Sequence, residues 1–242
     1  MTDADYLLSE LVAAEGRHFW FDARRRVIAR MAQTYFAQAR RCLDLGCGTG
    51  FVLDGLRRAL PGCRCVGCDQ HRASLEVARQ RGVTVVRGAV DRLPFAAAFD
   101  LVLALDVIEH LDDDLGGVAA IHDVLRPGGG LVLTVPQHRW LWSEVDVFSC
   151  HRRRYTRRRL RSVVEAAGFR IERMTSIFSL TLPVLLASRL RQRRTFVPSR
   201  EFQIPGAMNA ALKSITNLEW AAIDAGVNFP AGGSLLLVAR RR

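Results

Sequence analysis

Three carboxylates and a run of alternate glycines carry the clearest chemistry in this chain. Leu43 to Gly50 reads Leu-Asp-Leu-Gly-Cys-Gly-Thr-Gly, with glycines at 46, 48 and 50. Glycines in such a turn permit positive φ and let a ligand lie against the backbone. The apolar run Arg41–Leu45 precedes them, and Phe51, Val52, Leu56 and Leu60 follow at helical spacing, which predicts strand, tight turn and helix. Asp69 closes the next apolar run, Cys65 to Cys68, where a carboxylate can accept both hydroxyls of a ribose. Asp106 closes a third, Phe99 to Leu105. In an open α/β sheet such strand ends face one crevice, so Asp44, Asp69 and Asp106 are expected around one ligand. A purely steric strand-to-helix turn also uses glycine. The G-x-G-x-G spacing, with no lysine after it, fits neither a P-loop nor a G-x-G-x-x-G dinucleotide site.

Groups able to move a proton lie further along. His110 follows the third of these strand ends, while His138 and His151 belong to a stretch after Pro136 that also holds Trp140, Trp142, Arg152, Arg154 and Tyr155. The histidines are candidate bases and the other five candidate contacts for a substrate, since loops at strand ends are where substrate groups sit. Each histidine reads more readily as an orienting or structural group, and the helical arginines from 157 onward as a solvated face. Cys63-x-Cys65-x-x-Cys68 invites a zinc site, but alternate residues of a strand point to opposite faces and no fourth ligand has suitable spacing, so no metal is expected.

Composition bounds the rest. Of 242 residues, 49% are hydrophobic and 24% charged, enough apolar material for a large core and too little charge density for disorder. The net charge of +11 rests on arginine, seven of which fall between positions 152 and 161, a patch suited to an anionic partner. The first thirty residues lack a continuous apolar segment of the signal-peptide kind, so a cytoplasmic protein with reduced cysteines is expected.

The elements that must position these groups follow in order. Residues 1–40 read as helical, a lid before the first strand. Helices are expected over Gln70–Arg81, up to Leu125, and from a Thr156 N-cap to Ala167, with strands at Arg64–Cys68, Val83–Val86, Phe99–Leu105, Leu131–Val135, Phe169–Met174 and Ser234–Ala239. The long segment 176–233 reads as an inserted cap. Its apolar run Ile177–Leu190, interrupted by Pro183, is too short to span a bilayer. With Arg189, Arg191, Arg193 and Arg194 beside it, the run suits either a pocket cover or an anionic membrane surface, the cover being favoured.

Leu43–Gly50 resembles motif I of the class I S-adenosylmethionine-dependent methyltransferases. Asp100-Leu101-Val102 with Asp106-Val107-Ile108-Glu109-His110 resembles the family's fourth-strand motif, and Leu125-Arg126-Pro127-Gly128-Gly129 the turn before its fifth strand. The resemblance covers about Arg41 to Met174. It implies an α/β, Rossmann-like, doubly wound, seven-stranded and mostly parallel sheet with an antiparallel last strand, built from residues 41–175 and 234–242. It implies S-adenosyl-L-methionine as cofactor and S-adenosyl-L-homocysteine as product, with a small-molecule acceptor, anionic or apolar, most similar to quinone and natural-product substrates. The implied cofactor residues are Asp44, Gly46, Cys47, Gly48, Gly50, Asp69, Gln70, Ala89, Val90, Leu105, Asp106 and His110, with Arg24 or Arg25 pairing the methionine carboxylate and Trp20 of the lid meeting the acceptor. Ala89 stands where relatives often carry an acid. Methylation of oxygen, on a hydroxyl or carboxylate in a secondary-metabolite, quinone or glycan/lipid pathway, is the leading expectation, with nitrogen, carbon or a non-catalytic membrane-associated module as alternatives. A nucleic-acid substrate is not expected, because no Asn/Asp-Pro-Pro-Tyr motif follows the fourth strand.

Overall fold

The computed structural model describes residues 3–192 and 203–242. In chain order these form α1 (Asp3–Glu15), α2 (Phe19–Phe36), β1 (Arg41–Leu45), α3 (Phe51–Ala59), β2 (Arg64–Asp69), α4 (Arg72–Gln80), β3 (Thr84–Arg87), β4 (Phe99–Leu105), α5 (Asp114–Val124), β5 (Leu125–Pro136), α6 (Glu144–Phe148), α7 (Arg157–Ala166), β6 (Phe169–Ile177), α8 (Leu182–Gln192), α9 (Gly206–Asp224) and β7 (Ser234–Arg241).

The strands make one sheet in the order β3-β2-β1-β4-β5-β7-β6. The β1–β2, β1–β4, β2–β3 and β4–β5 pairs are parallel, and β7 runs antiparallel to both β5 and β6. Strand order therefore reverses between β1 and β4, which puts a crevice at their carboxyl ends. Alternation along each strand builds two cores. Leu101, Leu103 and Leu105 of β4 pack with Val27, Ile28 and Met31 of α2 and with Leu53 and Leu56 of α3. Val102 and Ala104 face the other way, onto Val118 and Ile121 of α5 and Leu160 and Val164 of α7. Such double burial is why β4 carries almost no polar residue.

Sequence expectation and structure differ in places. In α3 the buried residues are Leu53 and Leu56, while Phe51 and Val52 stay half-buried against the N-terminal helices. The turn residues Leu125 to Gly129 are already strand, because β5 begins beside Phe99 and resumes its pairing after a bulge. At Gly130 a Cβ would lie 2.1 Å from the Phe36 ring, so glycine is what lets α2 sit on β5. The apolar run Ile177–Leu190 is not one interrupted helix. Ile177 ends β6, and Pro183 occupies the first turn of α8, where its missing N–H costs nothing. Arg193 and Arg194 lie outside the described residues, as do the side chains of Leu190 and Arg191. No helix among the described residues is long and apolar enough to cross a membrane.

The segment before the sheet and the segment inserted ahead of β7 meet each other. Asn209 of α9 accepts the Phe19 amide at 2.8 Å and donates to the Arg17 carbonyl at 2.8 Å, while Lys213 and Asp224 pair with Asp22 and Arg30 of α2.

Candidate functional site

The glycine loop after β1 is built for close approach. Gly46, Gly48 and Gly50 have φ of 66°, 51° and 75°, and the position a Gly48 Cβ would take has nothing within 4 Å. Asp69, at the end of β2, reaches across to hold this loop: its Oδ2 accepts the Gly48 amide at 2.9 Å and its Oδ1 the His71 amide at 2.8 Å. Asp44 lies beneath, buried, with Oδ1 lacking any partner among the described residues. Burial pushes its pKa up to about 7, aided by the Asp69 charge and opposed by Arg24.

Arg24 reaches this crevice from α2. Its guanidinium pairs with Asp106 at 2.7 Å, lies 3.5 Å from the Thr134 hydroxyl and covers the Trp20 ring at 4.9 Å. Thr134 donates in turn to Asp106 at 3.0 Å, and Asp106 itself adopts a left-handed φ of 55°. A non-glycine residue in that region is strained, and such strain concentrates at working sites. Arg25 turns elsewhere, onto the Phe51 ring and Asp22. Of the two arginines, only Arg24 is brought to the crevice.

Beyond Asp106 the chain makes a short 3-10 turn, Ile108–His110, that presents Glu109 and His110. Glu109 is fully buried, and neither carboxyl oxygen has a partner in hydrogen-bonding geometry among the described residues. Burial pushes its pKa well above the ordinary carboxyl range, and Asp106 pushes the same way. His151 stands beside it, its ring 4.8 Å from that of His110. Asp146 fixes His151, accepting from Nδ1 at 2.9 Å, and takes two further bonds from Arg154 at 2.8 and 3.0 Å. Burial alone would raise the Asp146 pKa, but His151, Arg154 and the Ser143 amide hold it down at about 2. An ionised carboxylate only accepts, so Nδ1 of His151 is the donor in this bond, and in the neutral ring Nε2 is the nitrogen left to accept.

Other expected contacts fall in different places. His138, with φ of 62°, stacks on Trp140, and burial with the Arg154 charge lowers its pKa. Trp140 and Trp142 are exposed. Arg152 pairs with Asp112 at the surface. Arg154 is buried in its pair with Asp146, and Tyr155 is fully buried, donating to Asp114 at 2.9 Å. Neither is an open substrate contact. Val90 and Leu105 are buried, Ala89 is half-buried and Gln70 exposed; Cys47 packs behind the glycine loop, where a Cβ on Gly67 would lie 2.6 Å from its sulfur. Sequence reading missed a partly buried triad at this loop: Glu15 of α1 accepts from the Thr49 hydroxyl, and Arg81 bonds Glu15 at 2.7 Å and Thr49 at 2.9 Å. No local pattern announces it, because its members come from three separate elements.

Residues 43–133 match the family model described as a methyltransferase domain. A Mycolicibacterium smegmatis protein named "Probable S-adenosylmethionine-dependent methyltransferase" is 30% identical over 167 residues, 66% of this chain and 63% of that one. A ubiquinone biosynthesis O-methyltransferase of Ruegeria pomeroyi is 38% identical over 96 residues, 37% of this chain and 38% of the relative. The chain thus spans less than two thirds of the curated relatives it matches. Among solved structures, the S-adenosyl-L-methionine complex of Haemonchus contortus phosphoethanolamine N-methyltransferase 2 superposes with a TM-score of 0.60 at 20% identity, covering 89% of this chain and 52% of that one. The [4+2]-cyclase SpnF gives 0.61 at 21% identity, over 92% and 83%. At such identities the likeness is one of fold.

Proposed function

The chain belongs to the class I S-adenosylmethionine-dependent methyltransferases, and from that premise we propose that it methylates a hydroxyl oxygen of a small molecule. One juxtaposition carries the reading: the carboxylate and glycine cradle lies at the ends of β1 and β2, and Asp106, at the end of the adjacent β4, leads into the turn that carries Glu109 and His110 beside His151. The residues suit the cofactor. Asp44 has an unpartnered buried oxygen for a cationic group, Arg24 a planar fork for a carboxylate, and the space above Gly48 admits a ligand against the backbone. Asp69, already holding the loop, retains acceptor capacity for ribose hydroxyls, and Ala89, Val90 and Leu105 offer an apolar edge for a base.

S-adenosylmethionine supplies an electrophilic methyl carbon on a sulfonium. The chain must hold the acceptor in line with it and take charge of one proton. Transfer would join the acceptor oxygen to that carbon while the carbon–sulfur electron pair went to sulfur, and the chain's own part would be to align the acceptor and give its hydroxyl proton to a base. Positioning supplies most of the acceleration, since a near-attack geometry is worth several kcal/mol, about 7 or more in favourable cases. His151 is the best placed of the three candidate bases, because Asp146 fixes its tautomer and leaves Nε2 free to accept. The R. pomeroyi relative supports oxygen as the methylated atom.

Incubating the full chain with S-adenosylmethionine and a panel of phenols, catechols, carboxylic acids and amines, followed by mass spectrometry, tests this. Methyl ethers from hydroxyl acceptors are the expected products. Methylation confined to amines or carbon would replace the oxygen reading, and cofactor binding without any product would favour a non-catalytic module.

A further inference from the structure

Glu109, His110 and His151 each offer one ligand atom, and these atoms lie within 4.8 Å of one another. We propose that they form a site for a divalent cation, with one or more coordination positions left for the acceptor's oxygen.

Four observations bear on this. The donor set is one carboxylate and two imidazoles, a combination suited to borderline divalent ions of the first transition row. Ligand atoms at about 2.0–2.2 Å from such an ion are about 3.0–3.6 Å apart when adjacent and about 4.4 Å when opposite, so atoms at the 4.8 Å limit draw together by about an ångström to share one ion. Glu109 is 0% exposed with both oxygens unpartnered, and a buried carboxyl without hydrogen bonds is costly unless something pairs with it. Finally, His151 donates Nδ1–H to the carboxylate of Asp146, the arrangement by which metal-ligating histidines are oriented, and Arg154 in turn holds Asp146. The exposed ring of His110 closes the cluster on its solvent side, which gives an ion a way in.

Three protein ligands leave the coordination sphere open, as in catalytic rather than structural sites. A hydroxyl oxygen of the acceptor in the open position would ionise near neutral pH, its proton passing to solvent, and the resulting oxyanion would be held by the cation. His151 then serves as a ligand in place of a base. This role in the reaction rests on the methyl-transfer reading above, whereas the binding of the ion does not.

Manganese is the probe of choice, because six cysteines would confound zinc or cobalt whereas thiolates favour softer ions. Titration of the full chain, followed by loss of the aqueous Mn2+ electron paramagnetic resonance signal, should show one tight equivalent. Glu109→Gln and His110→Ala should each weaken it by tenfold or more, and Asp146→Asn by about 10–100-fold. Circular dichroism and urea denaturation report whether each variant is folded, and His110, being exposed, is the substitution the fold tolerates best. No stoichiometric Mn2+ binding by the parent chain, or unchanged affinity in folded Glu109→Gln and His110→Ala, overturns the site. Methyl transfer undiminished by excess chelator overturns its role in the reaction and leaves the methyl-transfer reading standing. A parent chain that binds Mn2+ but no S-adenosylmethionine does the reverse.

Discussion

The carboxylate of Asp69 accepts the backbone amide of Gly48 at 2.9 Å, so the end of β2 holds the turn that follows β1. A residue expected to touch only a ribose therefore also shapes the loop beneath it. Asp69→Ala removes both contributions and should weaken S-adenosylmethionine binding by about 1.5–3 kcal/mol, the worth of hydrogen bonds to a charged group. Calorimetry showing an unchanged affinity would remove Asp69 from the site.

Arg24 sits between Asp44 and Asp106, while Arg25 is spent on Phe51 and Asp22. Arg24→Met should cost cofactor affinity about tenfold or more, and Arg25→Met much less. Equal losses in the two variants would mean that Arg24 has no special place.

Asp44 gives that affinity a pH dependence. Its pKa stands at about 7, raised by burial and by Asp69 and lowered by Arg24. Above that value it is ionised and attracts a cationic ligand; below it the charge is lost. Cofactor binding should therefore weaken as pH falls from 8 to 6, and Asp44→Asn should flatten the profile. A profile in the Asp44→Asn variant identical to the parent's would assign the titration to another group.

Arg154 neutralises a carboxylate that is 0% exposed. Arg154→Ala leaves the Asp146 charge with only His151 and Ser143 to hold it, a change worth up to about 3–5 kcal/mol of stability for buried pairs. Urea denaturation should show that loss, where a surface substrate contact would show almost none.

Acid stability should depend on Asp114. Burial raises its pKa, but the Tyr155 hydroxyl, Arg159 and Arg153 outweigh that effect and hold it below the ordinary value. A depressed folded pKa contributes stability above the unfolded value of about 3.9, lost as pH falls through the folded one. Asp114→Asn should destabilise the chain at pH 7 and narrow its difference from the parent below about pH 4. A constant difference across that range would exclude Asp114 as a source of acid sensitivity.

Much of this protein is legible in one dimension. Arg41 to Gly50 fixes a strand and a left-handed glycine turn through backbone sterics alone, and the doubly apolar β4 declares itself a central strand because both its faces are buried. Thr156 caps α7 where expected, its side chain accepting the Arg159 amide, and Gly168 ends that helix at φ 92°. These are short-range effects of dihedral preference and periodicity. What the side chains do after Pro136 is not of that kind. Trp140, Trp142, Arg152, Arg154 and Tyr155 share one stretch and looked alike as pocket contacts, yet two are exposed rings, one a surface ion pair and two buried supports. Glu109 drew no attention as a functional group in the sequence. It stands out only in three dimensions, where His151 lies beside the 3-10 turn and both carboxyl oxygens of Glu109 are buried without a hydrogen-bond partner among the described residues. Desolvation and side-chain convergence depend on strand order and loop closure, which no local spacing encodes, so tertiary structure alone decided them.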